Sequence, residues 1–148
     1  MADFVFNIAK GKVAYCATLP ATNDALIVIP LEATGLEADA TLRDYDDVAT
    51  LIAGTTNEQT TMGRKTVTAG VTVTPDDVNE RQDVDMPDLV WTAATGNAVG
   101  ALLIAYDADT TTGTDANLIP LVKLDCALTP DGSDFTAQLN AAGFFRAA

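Results

Sequence analysis

The sequence predicts a mainly β protein, an antiparallel β-sandwich or barrel carrying one or two short helices, and three observations lead there. Apolar residues alternate with Thr or Asp over much of the second half, as in TVTAGVTVTP and DLVWTAA. Short runs rich in Val, Ile and aromatic residues are separated by Gly, Pro, Asp or Asn at nearly every break. No parallel βαβ rhythm and no repeat of about 20–50 residues interrupts the pattern.

The elements follow in order. Phe4, Phe6 and Ile8 alternate with Val5 and Asn7, which suits a strand. Asn7 equally suits the cap of a short helix in which Ile8, Val13 and Tyr15 find partners, although Gly11 weakens such a helix, so both readings stay open. A turn from Pro20 to Asp24 leads into ALIVI, whose β-branched content marks a buried strand ended by Pro30. The clearest helix is DYDDVATLIAG, placed around residues 44–53. Asp44 is its expected cap, Asp46 and Asp47 sit at the positive end of its dipole, Val48, Leu51 and Ile52 share one face, and Gly54 stops it. This accounts for the acidic triplet without an active site.

From Met62 onward the period becomes two. RKTVTAGVTVTP reads as a hairpin about a tight Ala69-Gly70 turn, with Val67, Val71 and Val73 on the buried face. Leu89 and Trp91 then point one way, Val90 and Thr92 the other, and Pro87 marks an edge or a bend. AVGALLIAYD is apolar enough for a central strand. LIPLVKLDCALTP, FTAQL after the PDGSD turn, and GFFRA complete seven or more strands.

A chain of 148 residues with 48% hydrophobic and 20% charged residues forms one globular domain, residues 1–148. The net charge of -13 comes from Asp scattered over presumed loops, which gives a solvated, self-repelling surface. Only eight Lys and Arg are present, too few to neutralise many phosphates, so neither nucleic acid nor an anionic membrane surface is an expected partner. The longest apolar run, Ala25 to Leu31, is far short of the about 20 residues that cross a bilayer. MADFVFNIAKGKVAYC lacks the basic-then-apolar layout of a secretory leader, so cytoplasmic synthesis without an anchor is expected. Cys16 and Cys126, with no CxxC and no His, are expected as two buried free thiols.

Chemistry finds little to work with. Histidine is absent, which removes the commonest general base, the serine triad and most catalytic zinc designs. YDADTTTGTD offers Asp107, Asp109 and Asp115 at short spacing. Counted from Asp107, however, the sixth and twelfth places of a calcium loop hold Thr112 and Leu118 instead of Gly and Glu, so a loop bonded to its own backbone is expected there. A two-carboxylate hydrolase lacks a substrate-gripping aromatic cluster, with aromatics at 6%. Trp91 beside Asp88 has the look of a sugar platform, but a lone Trp on an alternating strand is expected in the core. No catalytic residue, metal ligand or cofactor is expected.

The chain closes in LNAAGFFRAA. Phe144 and Phe145 adjoin, so in an extended segment they point to opposite faces, and one ring is left for a partner unless Gly143 bends both inward. Arg146 adds a fork-shaped donor for a carboxylate of its own chain or of another copy. Phe4 and Phe6 place comparable apolar material at the other end. These five residues, Phe4, Phe6, Phe144, Phe145 and Arg146, form the candidate partner interface, with residues 1–20 and 141–148 as candidate docking arms.

The stretches FNIAKGKVA, LEATGLEADATLRDYDDVATLIAG, MPDLVWTAATGN, LLIAYDADTTTGTDANLIPL and TPDGSDFTAQLNAAGFFRA together resemble a family of small proteins encoded among the virion structural genes of tailed bacteriophages, especially those of actinobacterial hosts. The resemblance covers nearly the whole chain. It implies a non-enzymatic particle component, foremost a capsid decoration or cement protein on the exterior of the head, bound to the major capsid protein and assembled as a homo-oligomer, with a trimer favoured. A minor tail or baseplate component is the alternative within the virion. A carbohydrate-binding or adhesion module, with Trp91 and the acidic hairpin as its site, is the alternative outside it.

Overall fold

The most apolar segments of the sequence pair with one another and end up covered on both sides. The structure is a computed structural model that describes residues 2–140 and 143–147. Its strands are β1 (Phe4–Val5), β2 (Ala25–Glu32), β3 (Lys65–Val67), β4 (Thr72–Asp76), β5 (Arg81–Asp85), β6 (Leu89–Trp91), β7 (Val99–Asp107), β8 (Ile119–Leu128), β9 (Phe135–Ala137) and β10 (Phe145–Ala147). Among the described residues three short helices accompany them, α1 (Val13–Ala17), α2 (Asp39–Leu42) and α3 (Val48–Ala53), with single 3₁₀ turns at Asn7–Ala9 and Asp115–Asn117. The protein is mainly β, and the named strand pairs are all antiparallel. The sheets stay open instead of closing into a barrel, in the orders β1-β8-β7-β2-β3, β10-β5-β4 and β6-β9.

Every residue from Ala25 to Leu31 on β2 and from Ala101 to Tyr106 on β7 is buried. A sheet that meets water on one face alternates; uninterrupted burial means that both faces are covered. Register separates the two sides. Lys123 lies opposite both Phe4 and Leu103, and Leu103 opposite Ile29, so these four share one face. There Asp39, at the start of α2, reaches Lys123 Nζ, and Arg43 lies over the Phe4 ring at 4.9 Å. Val122, Ile104, Val28 and Lys65 share the other face, where the Lys65 ammonium stands 5.4 Å from the centre of the Trp91 ring.

Several expectations are corrected by these pairings. Pro30 does not end β2; it lies inside the strand, opposite Leu102. Its carbonyl accepts from Gln59 N–H, so the N–H that proline lacks would also have faced residue 59, and the ladder to β7 loses nothing. Ala69-Gly70 does not close a hairpin: β3 joins β2 in the large sheet and β4 joins β5 in the small one. The hairpin instead runs from β4 to β5 through residues 77–80, with Val78 at its tip 90% exposed.

The expected helix around 44–53 is present as α3, with Val48 and Leu51 buried, but its cap is Asp47 and not Asp44. Asp47 accepts from Thr50 N–H and Thr50 Oγ1 at 2.7 and 2.8 Å, whereas Asp44 accepts from Asn7 Nδ2. The segment 4–17, open between strand and helix, is both: β1, a 3₁₀ turn and α1 in succession, because the left-handed backbone at Gly11 (φ +81°) divides it. Tyr15, expected to find a partner, is 65% exposed on α1. Both cysteines carry free thiols; Cys16 is buried, while Cys126 is half-buried, which departs from the expectation for that residue.

Removing the cap tests the local account of α3. Asp47→Ala is expected to cost about 1 kcal/mol in urea unfolding, and Asp47→Asn, which keeps an acceptor in place, about a few tenths.

Candidate functional site

The two chain ends, singled out as docking arms, are both built into their own chain. At the start, β1 pairs with β8, and the Phe4 and Phe6 rings meet at 5.1 Å with 7% and 0% of their surface exposed. What holds them is a buried cation that hydrophobic patterning does not reveal. Lys123 has no exposed surface, yet its ammonium donates to Asp39, Asp125 and the Ala2 carbonyl, and it lies 5.2 Å from the centre of the Phe4 ring. A buried ammonium is tolerated when several acceptors replace its water. Asp39 also accepts from Ala2 N–H at 2.9 Å, and Asp3 accepts from Asp125 N–H at 2.6 Å. The bond from Ala2 N–H, with Lys123 second, holds the Asp39 carboxyl below its ordinary value. Phe4 and Phe6 are therefore core residues and do not offer their rings to a partner, and the described part of residues 1–20 is no free arm.

The closing strand is held differently. Phe144 N–H donates to the Val84 carbonyl at 2.9 Å, and Phe145, Arg146 and Ala147 lie opposite Val84, Asp83 and Gln82. Opposed residues share a face, so Val73, Val84 and Phe145 form one apolar row across the small sheet, and Val84 within it is fully buried. The other face carries Asp76, Arg81, Asp83 and Arg146 as charges of alternating sign. Arg146 Nε donates to Asp83 Oδ1 at 2.7 Å. Arg81 Nε stands 3.2 Å from Asp76 and 3.3 Å from Asp83, close enough for charge attraction but without hydrogen-bond alignment.

Phe144 is 8% exposed and Phe145 half-buried, so the inward bend applies to Phe144 and partly to Phe145. Gly143 makes that bend: its φ is +82°, and a Cβ there would run into the Val84 carbonyl. Burial of Phe144 contributes about 1.5–3 kcal/mol, whereas Arg146, with a side chain 41% exposed, adds a fraction of about 1 kcal/mol through its ion pair. Residues 141, 142 and 148 of the expected C-terminal arm lie outside the described residues. Phe145 and Arg146 remain the interface candidates with accessible surface, on a strand at the edge of its sheet.

The acidic loop after β7 bonds to itself, as its Thr and Asp content predicts. Asp109 accepts from Thr111 N–H, Thr111 Oγ1 and Thr112 Oγ1, and these hydrogen bonds hold its carboxyl below the ordinary value. Asp115 is taken up by Arg64, whose guanidinium spans Asp115 and Glu58 at 2.6–2.9 Å. That pairing lowers the Asp115 carboxyl and raises Arg64. An open groove of about 270 Å³ lies alongside, lined by Thr110 to Thr114, Asp107 and Arg64. No group of three or more metal-ligating side chains occurs among the described residues. Trp91 is 2% exposed, donates to the Gly63 carbonyl at 2.9 Å and stacks on Phe135 at 5.6 Å, so it is core and not a platform for a sugar ring. No helix among the described residues is long and apolar enough to cross a membrane.

Comparison with known proteins gives no match: no family model, no curated protein and no solved structure is significantly similar to this chain.

Two outcomes follow from this geometry. Gly143→Ala is expected to lower stability by about 1–3 kcal/mol through backbone strain alone, and by more once the Val84 carbonyl is displaced. Gly132→Ala, at a similar φ of +92° with open space around it, isolates the strain. Asp39 and Asp115 titrate below the ordinary aspartate value of 3.8 when folded, so the folded state binds fewer protons. Their stabilisation is complete above that value and is lost as pH falls through the lowered one. Melting temperature is therefore expected to drop as pH falls below about 3.8, with a shallower drop for Asp115→Asn.

Proposed function

We propose that this protein is a non-enzymatic structural component of a bacteriophage virion, foremost a decoration protein on the outer surface of the head, bound to the major capsid protein. The observation that carries this reading is the edge position of β10. A half-buried Phe and an exposed Arg sit on a short strand whose outer side, among the described residues, is not paired to another strand, the arrangement by which an added chain is accepted through backbone bonds and one apolar anchor. The family resemblance of the sequence points the same way. The chemistry of the chain agrees with it: no histidine, an acidic loop closed on itself, and a net charge of -13 that keeps crowded particles apart. Burial of Trp91 weighs against the carbohydrate-binding alternative. A minor tail or baseplate role remains the second reading on the same resemblance.

Electron microscopy of intact virions tests the placement. Density for this chain at symmetric positions on the shell is the expected result; density confined to the tail overturns the head assignment, and its absence from the particle overturns the reading altogether. On heads, a Phe145→Asp, Arg146→Glu double variant that still folds by circular dichroism is expected to reduce retention at least about tenfold, equivalent to about 1.4 kcal/mol.

A further inference from the structure

We propose that Lys123 and Asp39 condense to an amide, so that the chain acquires an internal covalent cross-link between β8 and the start of α2, with the Asp125 carboxylate carrying the protons. This goes beyond the virion reading and does not rest on it, because every reacting group lies within one chain.

The fold brings together what such a reaction needs. Lys123 has no exposed surface, and its Nζ lies 3.0 Å from Asp39 Oδ1. Partners held in contact inside a fold gain effective molarities of about 10⁵–10⁸ M, which offsets the unfavourable joining of a free amine and acid in water. The Phe4 ring, itself 7% exposed, stands 5.2 Å from the amine and keeps that side dry. A buried ion pair holds two charges away from water at a cost, whereas an amide carries none. The side chains of Asp39 and Asp125 are 20% and 33% exposed, which leaves the water formed a way out.

Each polar neighbour has a task. Asp125 accepts from the same ammonium, so it can take and return protons there. Asp39 Oδ2 accepts from Ala2 N–H at 2.9 Å, a backbone donor placed where negative charge gathers when the amine adds to Cγ. The Ala2 carbonyl, also bonded to Nζ, orients the amine. Histidine, absent from the chain, is not required.

The step balances without a co-reactant. Asp125 takes a proton from the ammonium and passes it to Asp39 Oδ1, leaving a neutral amine beside a neutral acid. The Nζ lone pair then forms a bond to Asp39 Cγ while the carbonyl electrons move onto Oδ2. Asp125 carries a second proton from Nζ to Oδ1, the Cγ–Oδ1 bond breaks, Oδ1 departs as water, and Oδ2 returns to a carbonyl oxygen. One ammonium and one carboxylate have become one amide and one water. The Ala2 N–H bond that lowers the Asp39 carboxyl also keeps its neutral acid scarce, so the reaction is slow, which a single turnover per chain permits. The ion pair is the state that precedes it, and the acid sensitivity of Asp39 belongs to that state alone. The product joins residues 84 positions apart and so restricts the unfolded chain, in a protein whose two cysteines are free.

The wild-type chain supplies the test. After folded protein has been held at neutral pH until its mass is constant, intact-mass spectrometry of the unfolded chain is expected to show the loss of one water. Trypsin is then expected to release residues 13–43 joined to residues 82–146, since an acylated Lys123 is no longer cut. A full mass overturns the proposal. So does a lost water with those two peptides separate, the signature of an aspartate closed on its own backbone. Asp125→Ala, folded by circular dichroism, is expected to slow the loss of water at least about a hundredfold; loss at the unaltered rate overturns the proton-carrying role of Asp125.

Discussion

Two strands buried on both faces set the terms for everything else in this molecule. β2 and β7 have almost no polar side chains to offer water, so each side of the large sheet needs a cover, and a chain of this length must use loops, short helices and its own extremities to make one. That requirement explains why α2 and α3, each only a turn or so long, persist: they are held by the side chains that they bury, Leu42, Val48 and Leu51, and not by helix propensity. It also explains the placement of Trp91, whose ring and indole N–H are both spent on closing the opposite side.

The same demand decides what becomes of the chain ends. At the start, Phe4 and Phe6 are drawn into the cover, and the charge that pins them, Lys123, is sealed among Asp39, Asp125 and the Ala2 carbonyl. An ammonium enclosed in this way resists release, because withdrawal of the N-terminal strand would strand a buried charge. At the other end, the closing strand attaches to the edge of the small sheet, through one buried ring, one half-buried ring and a solvent-screened ion pair. The two ends carry similar residues and are held differently: one around a buried ammonium, the other by backbone pairing at the edge of a sheet and a solvent-screened ion pair.

Much of the fold was legible from residue periodicity. The mainly antiparallel β class, the apolar centre at AVGALLIAYD, the helix over Val48–Ala53 and the self-bonded Thr/Asp loop all follow from alternation and turn chemistry. What periodicity does not carry is partner choice between strands. Ala69-Gly70 has the chemistry of a hairpin turn, yet tertiary packing sends the flanking strands to different sheets, and Pro30 ends nothing because its missing donor faces a loop. In the candidate site, the exposed-ring expectation held only in part, for Phe145, because extended alternation ignores the left-handed bend at Gly143. Lys123 was invisible as a core residue, although its place in the apolar run LIPLVKL, directly after the buried Leu121 and Val122, is the signal that would have found it.

If β2 and β7, covered on both faces, are the closed centre of the molecule and β10 only an edge strand, the large sheet must outlast the closing strand. Native-state hydrogen exchange measures this most directly, by comparing the amide of Phe144 with those of β2 and β7. The expected result is that β2 and β7 amides exchange only through global unfolding, while Phe144 exchanges through a local opening at least about a hundredfold more often, a gap of about 2.7 kcal/mol. Equal protection at Phe144 and at the centre of β7 would make the closing strand an inseparable part of the centre and contradict the rank given to the large sheet.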